Sequence, residues 1–124
     1  MIKLLIILTL VSYCLFIYWL SAQPSLPAPM WFEHQDKVHH AGAYFIMALL
    51  VWRTLACWLS SPLLLALLSV MFCSIYGISD EWHQSFVEHR SSDTMDWLAD
   101  TIGASIAASS LLLFYKISNK VHKI

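Results

Sequence analysis

Residues 4–20 read LLIILTLVSYCLFIYWL, a run without a single charged side chain. A helix that crosses a bilayer needs about 20 mostly apolar residues. Lys3 precedes this run and Ser21-Ala22-Gln23-Pro24 follows it. A secretory signal peptide is the competing reading. The apolar stretch is too long for one, and Leu20 and Ala22 make a poor small-x-small cleavage site. The run is therefore read as a retained membrane helix.

Composition agrees with that reading. Of 124 residues, 59% are hydrophobic and 12% charged, where soluble domains carry about 25% charged residues. The length suits one domain, 1–124. A net charge of −1 gives no basic surface for nucleic acid. Cys14, Cys57 and Cys73 each lie within apolar stretches, without metal or redox spacing, and read as small buried side chains.

Further spans follow at about 37–58, 62–83 and 93–115. Between the first two, 23–29 holds three prolines and reads as a stiff external loop continuing through Trp31, Phe32 and Glu33. Ser60-Ser61-Pro62 makes a tight connection, with Pro62 in the first turn of the next helix. Residues 84–92 form a polar loop, and 116–124 a short tail bearing Lys116, Lys120 and Lys123. The expected fold is all-α, a four-helix transmembrane bundle.

Orientation is read from lysine and arginine. A cytoplasmic N-terminus puts Lys3, Arg53, Lys116, Lys120 and Lys123 inside, leaving Lys37 and Arg90 outside, five against two. Both termini are then cytoplasmic in a multi-pass membrane protein. Trp19, Trp31, Trp82 and Trp97 fall at the outer ends of the helices and Trp52 and Trp58 at an inner end, as headgroup anchors do.

All eight acidic residues and five of six histidines fall toward the outer ends of the helices. Asp36, His40 and Tyr44 share one helical face at i, i+4 and i+8. Asp80 faces the same way as His83 and Gln84. Asp93, Asp96 and Asp100 form a third stripe, continued by Gly103 and reaching about 10 Å into the bilayer. An ionised carboxylate there costs several kcal/mol, so Asp100 requires an interior partner or a proton. Meeting of the three stripes is an expectation about packing. Against it stand plainer readings. Asp93 and Asp36 cap or complement helix N-termini, Lys37 snorkels, and Glu33, His34, Glu88 and His89 are solvated loop residues. His39 faces headgroups or water, and His122 belongs to the tail. Gly42, Gly77 and Gly103 allow close helix packing.

These residues resemble the VanZ-like family of small bacterial membrane proteins. The likeness runs from Ser21-Ala22-Gln23-Pro24-Ser25-Leu26-Pro27 through Asp36-Lys37-x-x-His40-x-x-x-Tyr44 to Asp80-Glu81-x-x-Gln84. Arg90, Asp96, Asp100 and Gly103 follow in order. Where that family often has a Pro-Gly pair before the arginine, this chain has Glu88-His89; His39, His83 and Asp93 lie outside the matched pattern. The resemblance implies four membrane helices and a name derived from low-level teicoplanin resistance. It carries no reaction.

Two functions compete. In the first, an enzyme acts at the outer interface on a lipid-linked or cell-envelope substrate. His40, Asp80, Glu81 and Asp96 are its catalytic candidates, and Asp36, Lys37, Tyr44, Gln84, Arg90 and Asp100 its ligand-binding candidates. Carboxylates with a histidine suit a divalent cation or acid–base work, and arginine suits a phosphate. Yet no recognised catalytic spacing, such as His-Glu-x-x-His, occurs. In the second, the same groups bind a lipid headgroup, envelope precursor, antibiotic or partner protein without turnover, or form a structural salt-bridge network. Transport through Asp80 and Asp100 ranks last, because the inner half offers little beyond Arg53 to continue a path. Cofactor, oligomeric state and any resistance role are not fixed by the sequence.

Overall fold

Each long apolar run is helical in the computed structural model, which describes residues 1–24 and 29–121. Helix α1 spans Ile2–Ser21, α2 Gln35–Leu55, α3 Pro62–Gln84 and α4 Thr94–Val121. Residues 25–28, within the proline-rich segment, and His122 and Lys123 of the tail lie outside the described residues.

Local chemistry sets the boundaries. The Leu64 N–H donates to the Ser61 hydroxyl at 3.4 Å, capping α3 ahead of Pro62. Asp93 caps α4 in the same way, accepting the Met95 N–H at 2.9 Å. His34 enters α2 in the left-handed region, with φ 62°. Two boundaries differ from expectation. Helix α2 stops at Leu55, and 56–58 form a turn. Helix α4 runs on to Val121, so 116–121 extend the last helix and are not a separate tail. No glycine or proline interrupts that stretch, and Lys120 in the last turn complements the helix dipole.

Among the described residues, α1, α3 and α4 are long and apolar enough to cross a membrane. Helix α2 has the length, 21 residues. Its apolar character is diluted by Gln35, Asp36, Lys37, His39, His40 and Arg53. That helix sits inside the bundle, where it packs on all three others, and α4 is its most extensive neighbour. Helix α1 packs on α2 and more thinly on α3, and among the described residues it does not reach α4.

The helices run up and down. Lys3 at the start of α1 meets the Cys57 carbonyl beyond α2 at 3.0 Å. The Tyr44 hydroxyl of α2 meets Asp80 of α3, and the Trp97 indole of α4 meets Ser74 of α3. The end of α1, start of α2, end of α3 and start of α4 therefore gather at one end of the bundle.

Burial is distributed as in a membrane protein. Leu4, Leu5, Leu8, Leu15, Leu67, Met71, Ile75, Ile102 and Ile106 are all exposed. A continuous apolar exterior of that kind suits lipid. The core combines Ile17, Tyr44, Met47, Val51 and Cys73 with small α4 residues, Ala104 and Ala107.

Gly103 fixes the α2–α4 distance. A Cβ there would run into the Ala41 backbone, lying 2.7 Å from its carbonyl carbon. Gly77 plays the same part for α3 and α4: a Cβ would lie 2.9 Å from Asp100 Oδ2 and 3.2 Å from the Trp97 ring. Gly42 does not share this role. It is exposed, with nothing within 4 Å of an added Cβ.

These contrasts set an order of stabilities. Gly103→Ala should lower the thermal midpoint in detergent, by about 1–3 kcal/mol of overpacking or more. Gly42→Ala should leave it unchanged or raise it, by up to about 1 kcal/mol of helix propensity. Tryptophan fluorescence during heating reads both; equal effects would refute the packing argument.

Candidate functional site

The end where the four helices gather holds nearly all the buried charge. Asp80, Glu81, Gln84, Asp96 and Asp100 are buried there, and Asp100 has no exposed surface at all. Three helices supply them because each carries its polar residues at the same depth, in a stripe facing inward. The three stripes do meet.

The contacts form two connected groups. On the α2–α4 side, Lys37 Nζ donates to Asp93 Oδ2 and Asp96 Oδ1, each at 2.9 Å, and to Asp36 Oδ2 at 3.2 Å. An ammonium has three protons to give, so all of Lys37's donors are engaged. Deeper in, His40 Nδ1 lies 2.9 Å from Asp100 Oδ1, and Nε2 lies 3.8 Å from Asp96 Oδ2. On the α3 side, the Tyr44 hydroxyl donates to Asp80 Oδ2 at 3.3 Å. Glu81 Oε2 accepts the Asp93 N–H at 2.7 Å and the Ser92 hydroxyl at 3.3 Å, tying α3 to the start of α4. Two carboxylate oxygens, Glu81 Oε1 and Asp100 Oδ2, are buried without a hydrogen-bond partner among the described residues.

Beside this cluster is a cavity of about 70 Å³, lined by Ile17, Leu20, His40, Tyr44, Asp80 and Arg90 among others. It has room for several waters or one tetrahedral anion. Gln84 and the exposed His39 also border it. Arg90 forms no side-chain hydrogen bond or ion pair among the described residues. Its neighbour His89 has φ 63°, the left-handed region that glycine enters freely. His89 thus supplies the turn for which the family resemblance has glycine.

The sequence-derived candidates divide accordingly. His40, Tyr44, Asp80, Gln84 and Arg90 share the cavity wall. Glu81, Asp96 and Asp100 lie in the adjoining buried network. Asp36 is exposed, touching the cluster only through Lys37. Lys37 is no free cation awaiting an anion, because three carboxylates saturate it. Glu33, His34, Glu88 and His89 are exposed, as solvated loop residues are.

Other residues emerge only in three dimensions. Asp93 both caps α4 and grips Lys37, so the plainer reading of it is correct and incomplete; its place on the Asp96–Asp100 stripe was the available signal. Trp97 is not a simple headgroup anchor. Its indole N–H reaches the Ser74 carbonyl and hydroxyl oxygens, each at 3.1 Å. His83 stacks on Tyr18 at 4.3 Å, against α1. Helix α1 was not expected at the site, yet Ile17, Leu20 and Ser21 line the cavity.

Asp93 lies just outside α4, and the hydrogen bond from Lys37 holds its carboxyl below the ordinary carboxylate range. A depressed folded-state pKa stabilises the fold above the unfolded value, and the gain is lost as pH falls through the folded value. Asp93→Asn should therefore lower the thermal midpoint at neutral pH. The gap to the unsubstituted protein should shrink as pH falls below about 4. Because asparagine caps as well as aspartate, no gap at neutral pH would show that capping alone accounts for Asp93.

Comparisons with known proteins bear on the whole arrangement. An uncharacterized protein of Schizosaccharomyces pombe is 28% identical over 99 residues, covering 79% of this chain and 57% of that relative. The chain thus spans a little over half the length of the relative it matches. No solved structure matches. A family model described as VanZ/LLP1 matches residues 5–115, from the first turns of α1 far into α4 and across every buried polar residue named above. The chain belongs to the VanZ/LLP1 family of membrane proteins.

Proposed function

We propose that this protein binds the phosphate-bearing headgroup of a lipid-linked ligand in the cavity beside Arg90. The observation that carries the reading is Arg90 itself. It is a cation at a cavity wall, with no carboxylate partner among the described residues, while the nearby Lys37 is saturated. A guanidinium presents paired donors that fit two phosphate oxygens. Gln84 and Tyr44 border the same space, and Ile17 and Leu20 give it an apolar wall against which an acyl or prenyl chain can lie.

Charge asymmetry supports placing this end on the side of the membrane away from the cytoplasm. Lys3, Arg53, Lys116 and Lys120 belong to the opposite end of the helices. The likeness to a fungal protein favours a ligand chemistry common to different membranes over one confined to bacterial walls.

A second reading, turnover of the bound ester, is favoured by the His40–Asp100 pair. A carboxylate that fixes one imidazole nitrogen leaves the other for proton transfer. Phosphate release from a polyprenyl phosphate, lost in His40→Gln and retained in Arg90→Lys, would establish it.

Binding is tested by native mass spectrometry in detergent, with a polyprenyl phosphate and the matching polyprenyl alcohol as probes. The phosphate should bind more tightly than the alcohol. Arg90→Ala should weaken phosphate binding about ten-fold or more, as loss of a charge-assisted hydrogen bond does, without lowering the thermal midpoint. Equal binding of phosphate and alcohol, or an unaffected Arg90→Ala protein, would overturn the proposal.

A further inference from the structure

Buried charge at this end of the bundle is far from balanced. Asp80, Glu81, Asp96 and Asp100 are all buried. Among the described residues, the one fixed cation in contact with that set is Lys37, which reaches only Asp96 among them and divides its remaining donors between Asp36 and Asp93. Buried charges persist where they are paired, neutralised or bound to metal. Hydrogen bonding is incomplete as well. Among the described residues, Asp100, with 0% of its surface exposed, keeps Oδ2 without a partner, and Glu81, with 6% exposed, keeps Oε1 without one.

The two carboxylates and His40 come together. One donor atom from each of His40, Glu81 and Asp100 lies within 4.8 Å of those of the other two. His40 Nδ1 and Asp100 Oδ1 stand 2.9 Å apart. Around an octahedral ion with bonds of about 2.1 Å, neighbouring ligands are separated by about 3.0 Å. The same spacing serves a hydrogen bond when no ion is held, so the pair needs little movement to become two ligands. Small adjustments of the Glu81 side chain complete the set.

We propose that His40, Glu81 and Asp100 form a divalent transition-metal site, for Zn²⁺ or Mn²⁺, at the inner edge of the cavity. One imidazole with two carboxylates is a borderline-hard donor set. The nitrogen selects against Ca²⁺ and Mg²⁺, and the absence of thiolates distinguishes the site from structural zinc centres. Two positive charges offset most of the excess among the four buried carboxylates. The three ligands come from three helices, so the ion also clamps α2, α3 and α4 at one depth. His40 borders the cavity, which leaves the remaining coordination positions on that side for water or for an anionic oxygen. The site rests on the carboxylates and the imidazole alone and does not require the lipid reading of Arg90.

The test uses the full chain in detergent, stripped with chelator, with no lipid added and with Zn²⁺ or Mn²⁺ alone as the probe. Titration should show saturable binding of one ion per chain and a rise in thermal midpoint, because an ion bound only by the folded state stabilises it. Glu81→Gln and Asp100→Asn should each weaken binding about ten-fold or more, and Ser110→Ala, an exposed position far from the site, should not. Pulsed electron paramagnetic resonance of Mn²⁺ bound to the unsubstituted protein gives a readout that no folding defect can mimic. It should show coupling to one imidazole nitrogen. Absence of saturable binding, binding unaffected by both carboxylate substitutions, or a bound Mn²⁺ without nitrogen coupling would each overturn the site. Failure here leaves phosphate binding by Arg90→Ala and unsubstituted protein still to be compared on its own terms.

Discussion

Helix α4 lies so close on α2 that Gly103 touches the backbone of Ala41. That contact governs the polar end of the molecule. With the two helices parallel and this near, Lys37 and His40 of α2 come within side-chain range of the acids at the start of α4. Lys37 falls between Asp93 and Asp96, and His40 falls on Asp100. Moving the helices apart by the width of one methyl group would stretch hydrogen bonds of 2.9 Å beyond their useful range. The small residues farther along α4, Ala104 and Ala107, keep the approach close below the site.

Helices in lipid gain little from burying apolar surface, since lipid tails are as apolar as leucine. What joins these four is accordingly polar contact and small-residue packing. Even α1, the most loosely held, is attached this way: the Tyr13 hydroxyl reaches the Ala43 carbonyl at 2.8 Å, and the Tyr76 hydroxyl reaches the Cys14 carbonyl at 2.6 Å. These hydroxyl-to-carbonyl bonds position Ile17 and Leu20 against the cavity. The apolar wall of the cavity thus depends on tyrosines that do not line it themselves.

Four helices, and the end of the bundle at which the acids collect, were legible from residue spacing and hydropathy alone. Those properties repeat along the chain and need no knowledge of neighbours. The finer assignments depended on rotation about the helix axes, which sequence constrains weakly. Gly42 and Gly103 look alike as glycines in apolar helices; one faces open space and the other a backbone. Lys37 looked like an anion contact or a snorkelling side chain, and its saturation follows from Asp93 and Asp96 being brought to it across 56 and 59 residues of chain. Trp97 matched the pattern of an interface anchor, and its true partner, Ser74, belongs to a different helix. The part played by α1 was hidden because its residues at the site are apolar, and apolar residues in a membrane helix are unremarkable wherever they point.

Lys37 and Arg90 show how position decides what one type of charge does. Both are cations near the same acidic cluster. Lys37 sits in the first turn of α2, between Asp93 just before α4 and Asp96 in its first turn, and its compact ammonium is consumed in joining helices. Arg90 sits in the loop before α4, where the left-handed turn at His89 leads the chain past the cavity. None of the four buried carboxylates takes it as a partner, although they carry more negative charge than Lys37 can offset. Charge of both signs is thus gathered at one end of the bundle, the acids buried and the guanidinium at the cavity wall. His40 and Asp80 share the wall of that cavity with Arg90, so position on the fold, more than the sign of the charge, separates the lysine that joins helices from the arginine that faces open space.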